Sequence, residues 1–366
     1  MSLPAVNANE QLDRGRDPIV SPLSADTDAG PTDAEIQPGS LRARFLRPRT
    51  FISFAVALAI LIFFARRLDV DPAAIWQQVR RANPWLYAAA FIVWYGIFVV
   101  RAVRWKVMLV RAGIDRAHGY PVPGIPGIVE MLLLSWFANC IVPAKLGDAY
   151  RSYLLKRETR SSFSTGMGTI VAERLTDLVV LFVMMTTAGI VVFSGRLPVE
   201  ARQSFVLGAG LMIVAGIGLA GMWFSRGWLE RFLPARFRDH YARLHTAIFQ
   251  CLRRPGLFLG IGVVVWLMEG MRLWLVAASL QAGLPPATAL FIALMGSLLT
   301  TLPVTPAGLG VVELGTGAVL IQVVGMDPTL AASVIVLDRV IGYWSLVAIG
   351  LVVVAWRARR ERRLAL

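Results

Sequence analysis

Glu173, Arg174 and Asp177 stand together inside a long apolar run, with the two carboxylates four residues apart. At that spacing the carboxylates share one face of a helix, and Arg174 lies three before Asp177. An ionisable side chain in hydrocarbon is costly enough that it needs either a partner or a task. One task is recognition of an anionic headgroup. Arg151, Arg174 and Arg339 carry guanidinium forks that match phosphate oxygens bidentately, and Lys145 adds a point charge. Asp148, Glu173 and Asp177 would hold those cations ready, bind a cationic headgroup or carry a proton. A structural alternative stands beside this, in which the charges are ion pairs that only hold helices together. Glu269 and Arg272, three apart in another apolar run, can satisfy each other. Glu313 has no partner nearby in sequence, so Arg339 or Arg272 must reach it or it titrates. Asp338-Arg339 repeats the acid-base order of Glu173-Arg174. Arg104-Trp105 follows the apolar run Trp85–Val100 and reads as an interfacial anchor.

Two interruptions lie close to these charges. The apolar run Ile128–Val142 breaks at Asn139–Arg151, where Asn139, Pro143 and Gly147 precede or accompany Lys145, Asp148 and Arg151. Unpaired backbone groups are not tolerated against lipid, so such a break must be buried in protein or face a wet cavity. Val304–Leu314 repeats the pattern with Pro306, Gly308 and Gly310. Pro143, Ala144, Leu146 and Gly147 recur as Pro306, Ala307, Leu309 and Gly310 at a constant offset of 163. Paired Gly/Pro breaks in two halves point to a transporter site built from an internal repeat.

The rest of the chain must carry these groups across a bilayer. Of its 366 residues 56% are hydrophobic and 16% charged, and the mean hydropathy is +0.62. That composition belongs to a polytopic membrane protein. The net charge of +14 sits in short loops beside apolar segments, which argues for membrane orientation and against nucleic acid as a partner. Residues 1–48 are polar and read as a disordered cytoplasmic tail without a cleavable signal. Cys140 and Cys251 imply no disulfide framework. His118, His240 and His245 fall in polar loops without ligand spacing, so neither a metal site nor a cofactor is expected.

Charge placement sets the topology. Crossings are expected at Thr50–Ala65, Trp85–Val100, Gly168–Phe193, Phe205–Phe224, Leu257–Leu280 and Thr329–Trp356. If residues 128–155 dip into the membrane and return, 26 Lys/Arg lie inside and 6 outside, so a re-entrant hairpin opening to the cytoplasm is expected. Residues 287–324 form a second broken pair, either an oppositely oriented hairpin or two short spans. The expected fold is therefore an all-α polytopic membrane protein with an inverted repeat. It has about six full transmembrane helices plus two hairpins, or eight spans. Both termini are cytoplasmic, the C-terminus as the basic segment 357–366. In the loop 226–254, Phe237, Tyr241, Leu244, Ile248 and Leu252 form one helical stripe, suited either to an anionic leaflet or to packing on the protein. No hydrolase, zinc-protease or phosphate-loop motif is present, so no enzyme activity is expected.

Four ordered segments carry a family likeness: R-A-V-R-W (Arg101–Trp105), N-x-x-x-P-x-x-x-G-D-x-x-R (Asn139–Arg151), E-R-x-x-D (Glu173–Asp177) and P-A-G-L-G-x-x-E (Pro306–Glu313). Together they resemble the lysylphosphatidylglycerol synthase transmembrane family of flippase-like proteins, over roughly residues 45–356. The departures are Asp148, where the family pattern has Glu, and Ala307, in a segment usually richer in Gly. The resemblance implies a flippase-like membrane domain over 49–356 that handles lipids, in a bacterial inner membrane. Some members translocate aminoacylated phosphatidylglycerol and carry a soluble transferase domain after the membrane part. With its end at Leu366, this chain is expected to be a stand-alone member. Its substrate is expected to be an anionic phospholipid or a polyprenyl-phosphate-linked lipid. A competing expectation is an accessory subunit whose partner is a lipid-modifying or glycosyl-transferring enzyme.

Overall fold

The computed structural model describes residues 71–141, 146–193, 199–224, 234–300 and 308–364, and these are helical with no strand among them. The tail 1–48, the crossing at Thr50–Ala65, and Pro143, Lys145, Pro306 and Ala307 lie outside the described residues.

The first two helices among the described residues begin on capped ends. Helix α1 is Pro72–Arg80, and the Asp71 side chain accepts from Ala73 N at 2.9 Å. Helix α2 is Pro84–Arg111, and Asn83 Oδ1 accepts from Trp85 N at 2.9 Å and Leu86 N at 3.3 Å. Proline at the first helical position suits both starts, since no N–H is wasted there. The following helices are α3 Ile125–Ile141, α4 Gly147–Thr159, α5 Phe163–Phe193, α6 Val199–Phe224, α7 Ala235–Leu252, α8 Gly256–Ser279 and α9 Pro286–Leu299. Next, α10 (Val311–Ala318) runs into a π-helical turn at Val319–Val323. Helix α11 (Pro328–Arg339) runs into another at Val340–Trp344, and α12 is Ser345–Leu364.

Five helical stretches are long and apolar enough to cross a membrane, and each coincides with one of the expected crossings to within a residue or, at its ends, extends beyond it. They are α2, α5, α6, α8, and α11 continued into α12. Helices α3 and α9, at 17 and 14 residues, fall short of the roughly 20 that a full span needs. Helix α8 is the central element and packs against α2, α9 and α5. At Gly270 a Cβ would come within 2.9 Å of the Leu290 backbone, so glycine there sets how closely α8 and α9 approach. Helix α6 instead leaves Val206, Ile213, Val214, Ile217, Trp223 and Phe224 exposed.

Two expectations need correction. Arg104 and Trp105 are not an interfacial anchor. Helix α2 continues to Arg111, and both side chains are wholly buried. Trp105 Nε1 donates to Thr169 Oγ1 at 3.1 Å, and Arg104 reaches carboxylates on α5. His240 and His245 are likewise not in a loop but on α7, with His245 buried. Helix α7 packs on α5 through Ala247 and Ile248, and Cys251 Sγ donates to the Met108 carbonyl of α2. Of the two fates expected for that helix, packing on the protein is the one observed.

Candidate functional site

Each break has its loose backbone donor tied down by a side chain. At the first, Gly147 N donates to Asn139 Oδ1 at 2.8 Å, and Ser135 Oγ donates to the Gly147 carbonyl at 2.8 Å. A Cβ on Gly147 would run into the Ser135 carbonyl oxygen, so α3 and α4 meet there only because the residue is glycine. At the second, Gly308 and Gly310 hold φ of +72° and +86°, a region glycine adopts without strain. Gly310 N donates to Glu313 Oε2 at 2.7 Å. Side-chain capping of this kind lets irregular backbone persist away from water.

Beside the breaks lies a cavity of about 570 Å³. Its walls come from α2, α3, α5, α8, α9, α10 and α11 with the π-helical turn after it, joined by Asp148 of α4 and Leu211 of α6. Apolar side chains such as Leu178, Leu181 and Ile292 alternate with Arg101, Arg174, Arg272, Arg339, Asp148, Asp177, Glu269, Glu313 and Asp338.

These charges form an extended network. Glu173 is bound from two sides, by Arg151 Nη2 at 2.5 Å and Arg104 Nη2 at 2.9 Å. Arg104 also grips Asp177 bidentately at 2.5 and 3.0 Å. Arg174 grips Asp148 at 2.8 and 3.0 Å and approaches Asp177 at 3.9 Å. Arg272 bonds Asp338 and lies 3.5 Å from Glu269. Arg339 Nε reaches Glu313 Oε1 at 2.7 Å, the pairing the sequence demanded of Arg339 or Arg272. With Arg101, which lies 3.6 Å from Glu269 and 3.8 Å from Asp177, the network among the described residues holds six arginines and six carboxylates.

The two halves use the same design. Asp148, Glu173 and Arg174 correspond to Glu313, Asp338 and Arg339, each 165 positions on. In both, the carboxylate just after the break pairs with the arginine of a later helix. Arg101 and Arg104 on α2 likewise have the spacing of Glu269 and Arg272 on α8, and in both the second residue is an arginine that binds a carboxylate.

The expected headgroup cations separate. Arg174 remains 40% exposed at its side chain and Arg339 18%, and both line the cavity. Arg151 is 1% exposed, bonded to Glu173, with its guanidinium 4.4 Å over the Trp105 ring, and it does not reach the cavity wall. Asn139 and Asp148 line the cavity, whereas Gly147, Gly308 and Gly310 shape the backbone beside it. Sequence reasoning passed over Arg101 as a site residue. Its signal was the three-residue step from Arg101 to Arg104, one face of a helix that continues past both.

The model for the transmembrane region of lysylphosphatidylglycerol synthase matches residues 50–350. The chain belongs to that family. Among relatives of the lysylphosphatidylglycerol synthase transmembrane family is a UPF0104 membrane protein of Methanocaldococcus jannaschii. It is 32% identical over 217 residues, which cover 58% of this chain and 91% of the relative. A UPF0104 membrane protein of Methanothermobacter thermautotrophicus is 21% identical over 330 residues, 82% of this chain and 94% of its own length. Glycosyltransferase AglD of Haloferax volcanii is 22% identical over 344 residues, 82% of this chain but only 53% of AglD. No solved structure matches the chain. Membership in a membrane-protein family accounts for the apolar exterior of α6, which in water would be an aggregation surface.

Proposed function

We propose that the protein moves a lipid between the leaflets of a cell membrane and catalyses no covalent reaction. The cargo is an anionic phospholipid or a polyprenyl-phosphate-linked lipid. The observation that carries this reading is the 570 Å³ cavity, where arginine and carboxylate side chains share walls with apolar ones beside both helix breaks. A headgroup sheds water on leaving the interface and needs polar partners that replace it, while its acyl chains need only hydrocarbon. Arg174 and Arg339, each held by a carboxylate from the neighbouring break, occupy equivalent places in the two halves and would meet the headgroup in turn. In this reading the α3/α4 and α9/α10 pairs are hairpins opening to opposite sides. We place it in a bacterial inner membrane, and the distribution of basic residues favours both termini in the cytoplasm.

A second reading rests on AglD, a relative named as a glycosyltransferase that this chain matches over about half of AglD's length. Under it the protein is a membrane accessory that works with a lipid-modifying or glycosyl-transferring enzyme.

The test is translocation of labelled anionic lipids and a polyprenyl phosphate in proteoliposomes. Wild type should transport at least one of them. Arg174→Ala and Glu313→Gln, which remove one side of each break-to-helix ion pair, should each slow transport about 10-fold or more, the loss expected for one charge-assisted contact. Full transport by both folded variants would reduce the pairs to structural supports, and no transport of any lipid would favour the accessory reading.

A further inference from the structure

We propose that Arg101, together with the indole N–H groups of Trp94 and Trp266, is a binding subsite for a phosphate group on the cavity wall. This rests on the lipid-transport reading and names the chemistry by which its cargo is held.

Arg101 is 2% exposed, yet it donates no hydrogen bond to any described residue. Its nearest carboxylate oxygens are Glu269 Oε1 at 3.6 Å and Asp177 Oδ2 at 3.8 Å, both beyond hydrogen-bond reach. Asp177 is already taken by Arg104. The other five arginines of the network each hold a carboxylate within bonding distance. A buried guanidinium without hydrogen bonds is strongly unfavourable, so its donors are arranged for an acceptor that the described chain does not supply.

The surroundings specify that acceptor. The Arg101 guanidinium stands 5.1 Å from the Trp136 ring centroid and 5.6 Å from that of Trp266. These aromatic faces support the cation but accept nothing at its N–H edge. Trp94 Nε1 and Trp266 Nε1 are also buried without a partner, and both rings line the same cavity. Three side chains therefore present donors and no acceptors. A phosphate is the complementary group, because it brings several acceptor oxygens and matches a guanidinium fork. Glu269 opposes it from 3.6 Å across the same guanidinium. Where α2 carries Arg101, α8 carries Glu269 at the matching step, so the charge reverses between the halves at this one place. An arriving phosphate would displace Glu269 from Arg101 toward Arg272, which already lies 3.5 Å from it.

The experiment is calorimetric titration of the full chain in detergent with dihexanoyl phosphatidate, inorganic phosphate and dihexanoylglycerol. Phosphatidate should bind wild type. Arg101→Gln should bind it about 10- to 100-fold more weakly and Trp266→Phe about 3- to 10-fold more weakly. Glu269→Gln should bind it more tightly, a gain that misfolding cannot mimic. Binding of phosphatidate but not of inorganic phosphate assigns the subsite to a lipid headgroup, and equal binding of both assigns it to free phosphate. Unchanged phosphatidate affinity in all three variants, or equally tight binding of dihexanoylglycerol, would overturn the proposal. Transport in proteoliposomes separates the two readings. A wild type that moves lipid while these variants bind normally loses only the subsite, and one that binds phosphatidate at Arg101 but moves nothing loses only the transport reading.

Discussion

Glu173→Ala is expected to lower the unfolding free energy by about 3–5 kcal/mol. Glu173 is 1% exposed and stands between Arg104 and Arg151, themselves at most 1% exposed. Its removal leaves Arg151 with only the Trp105 ring for company, and leaves Arg104 leaning on Asp177 alone. Uncompensated buried charge costs far more than the intact pair contributes, which is why deletion of one partner hurts more than replacement of all of them. The check is cooperative thermal unfolding of the purified protein in detergent, followed by helical circular dichroism. A midpoint equal to that of wild type would mean that Arg104 and Arg151 are hydrated and that the network is not a dry core.

The second large effect is at Glu313, which does two tasks with its two oxygens. Oε1 forms an ion pair with Arg339, 2.7 Å from its Nε, and Oε2 accepts from Gly310 N at the second break. Glu313→Ala leaves the buried Gly310 N–H without an acceptor and the half-buried Arg339 without its counter-charge, and should cost about 2–4 kcal/mol. Glu313→Gln keeps an oxygen for Gly310 and loses only the charge facing Arg339, so about half that cost is expected. The same unfolding measurement, run on both variants, distinguishes them. Equal destabilisation would mean that the Gly310 contact contributes nothing to the break.

Much of the fold and part of the site could be read from the chain. Apolar length alone marked the five stretches, long and apolar enough to cross a membrane, that form α2, α5, α6, α8 and the α11–α12 stretch. The breaks were legible because Asn139, Gly147, Gly308 and Gly310 are residues whose backbone or side-chain properties serve interruptions, and each takes part in one. Glu313 announced its need for Arg339 by having nothing nearer. What stayed hidden were pairings between distant helices. Arg101 and Arg104 follow the last uninterrupted apolar residue of their run, where hydropathy ends a span and suggests an interface. They are buried because Glu173 and Asp177 on α5, and Glu269 on α8, come to meet them. Arg151 was hidden for a related reason, since the stacking of its guanidinium on Trp105 depends on how α4 packs near α2. His245 followed from neither rule. The stripe on α7 was legible, but the tight approach of α7 to α5, which leaves no room for a Cβ at Gly168, was not.

The central claim is that lipid headgroups pass through the cavity between the broken helices. Its most direct test fills that cavity without altering a charge. Ala293 on α9 lines it and bears no polar side-chain group, and Ala293→Phe would project a ring into the space beside Gly296 and Ile292. Initial rates of lipid translocation in proteoliposomes should fall at least about 10-fold relative to wild type, a barrier increase of roughly 1.4 kcal/mol, with the unfolding midpoint unchanged. Undiminished transport by a stably folded Ala293→Phe protein would contradict the account and place the route elsewhere on the molecule.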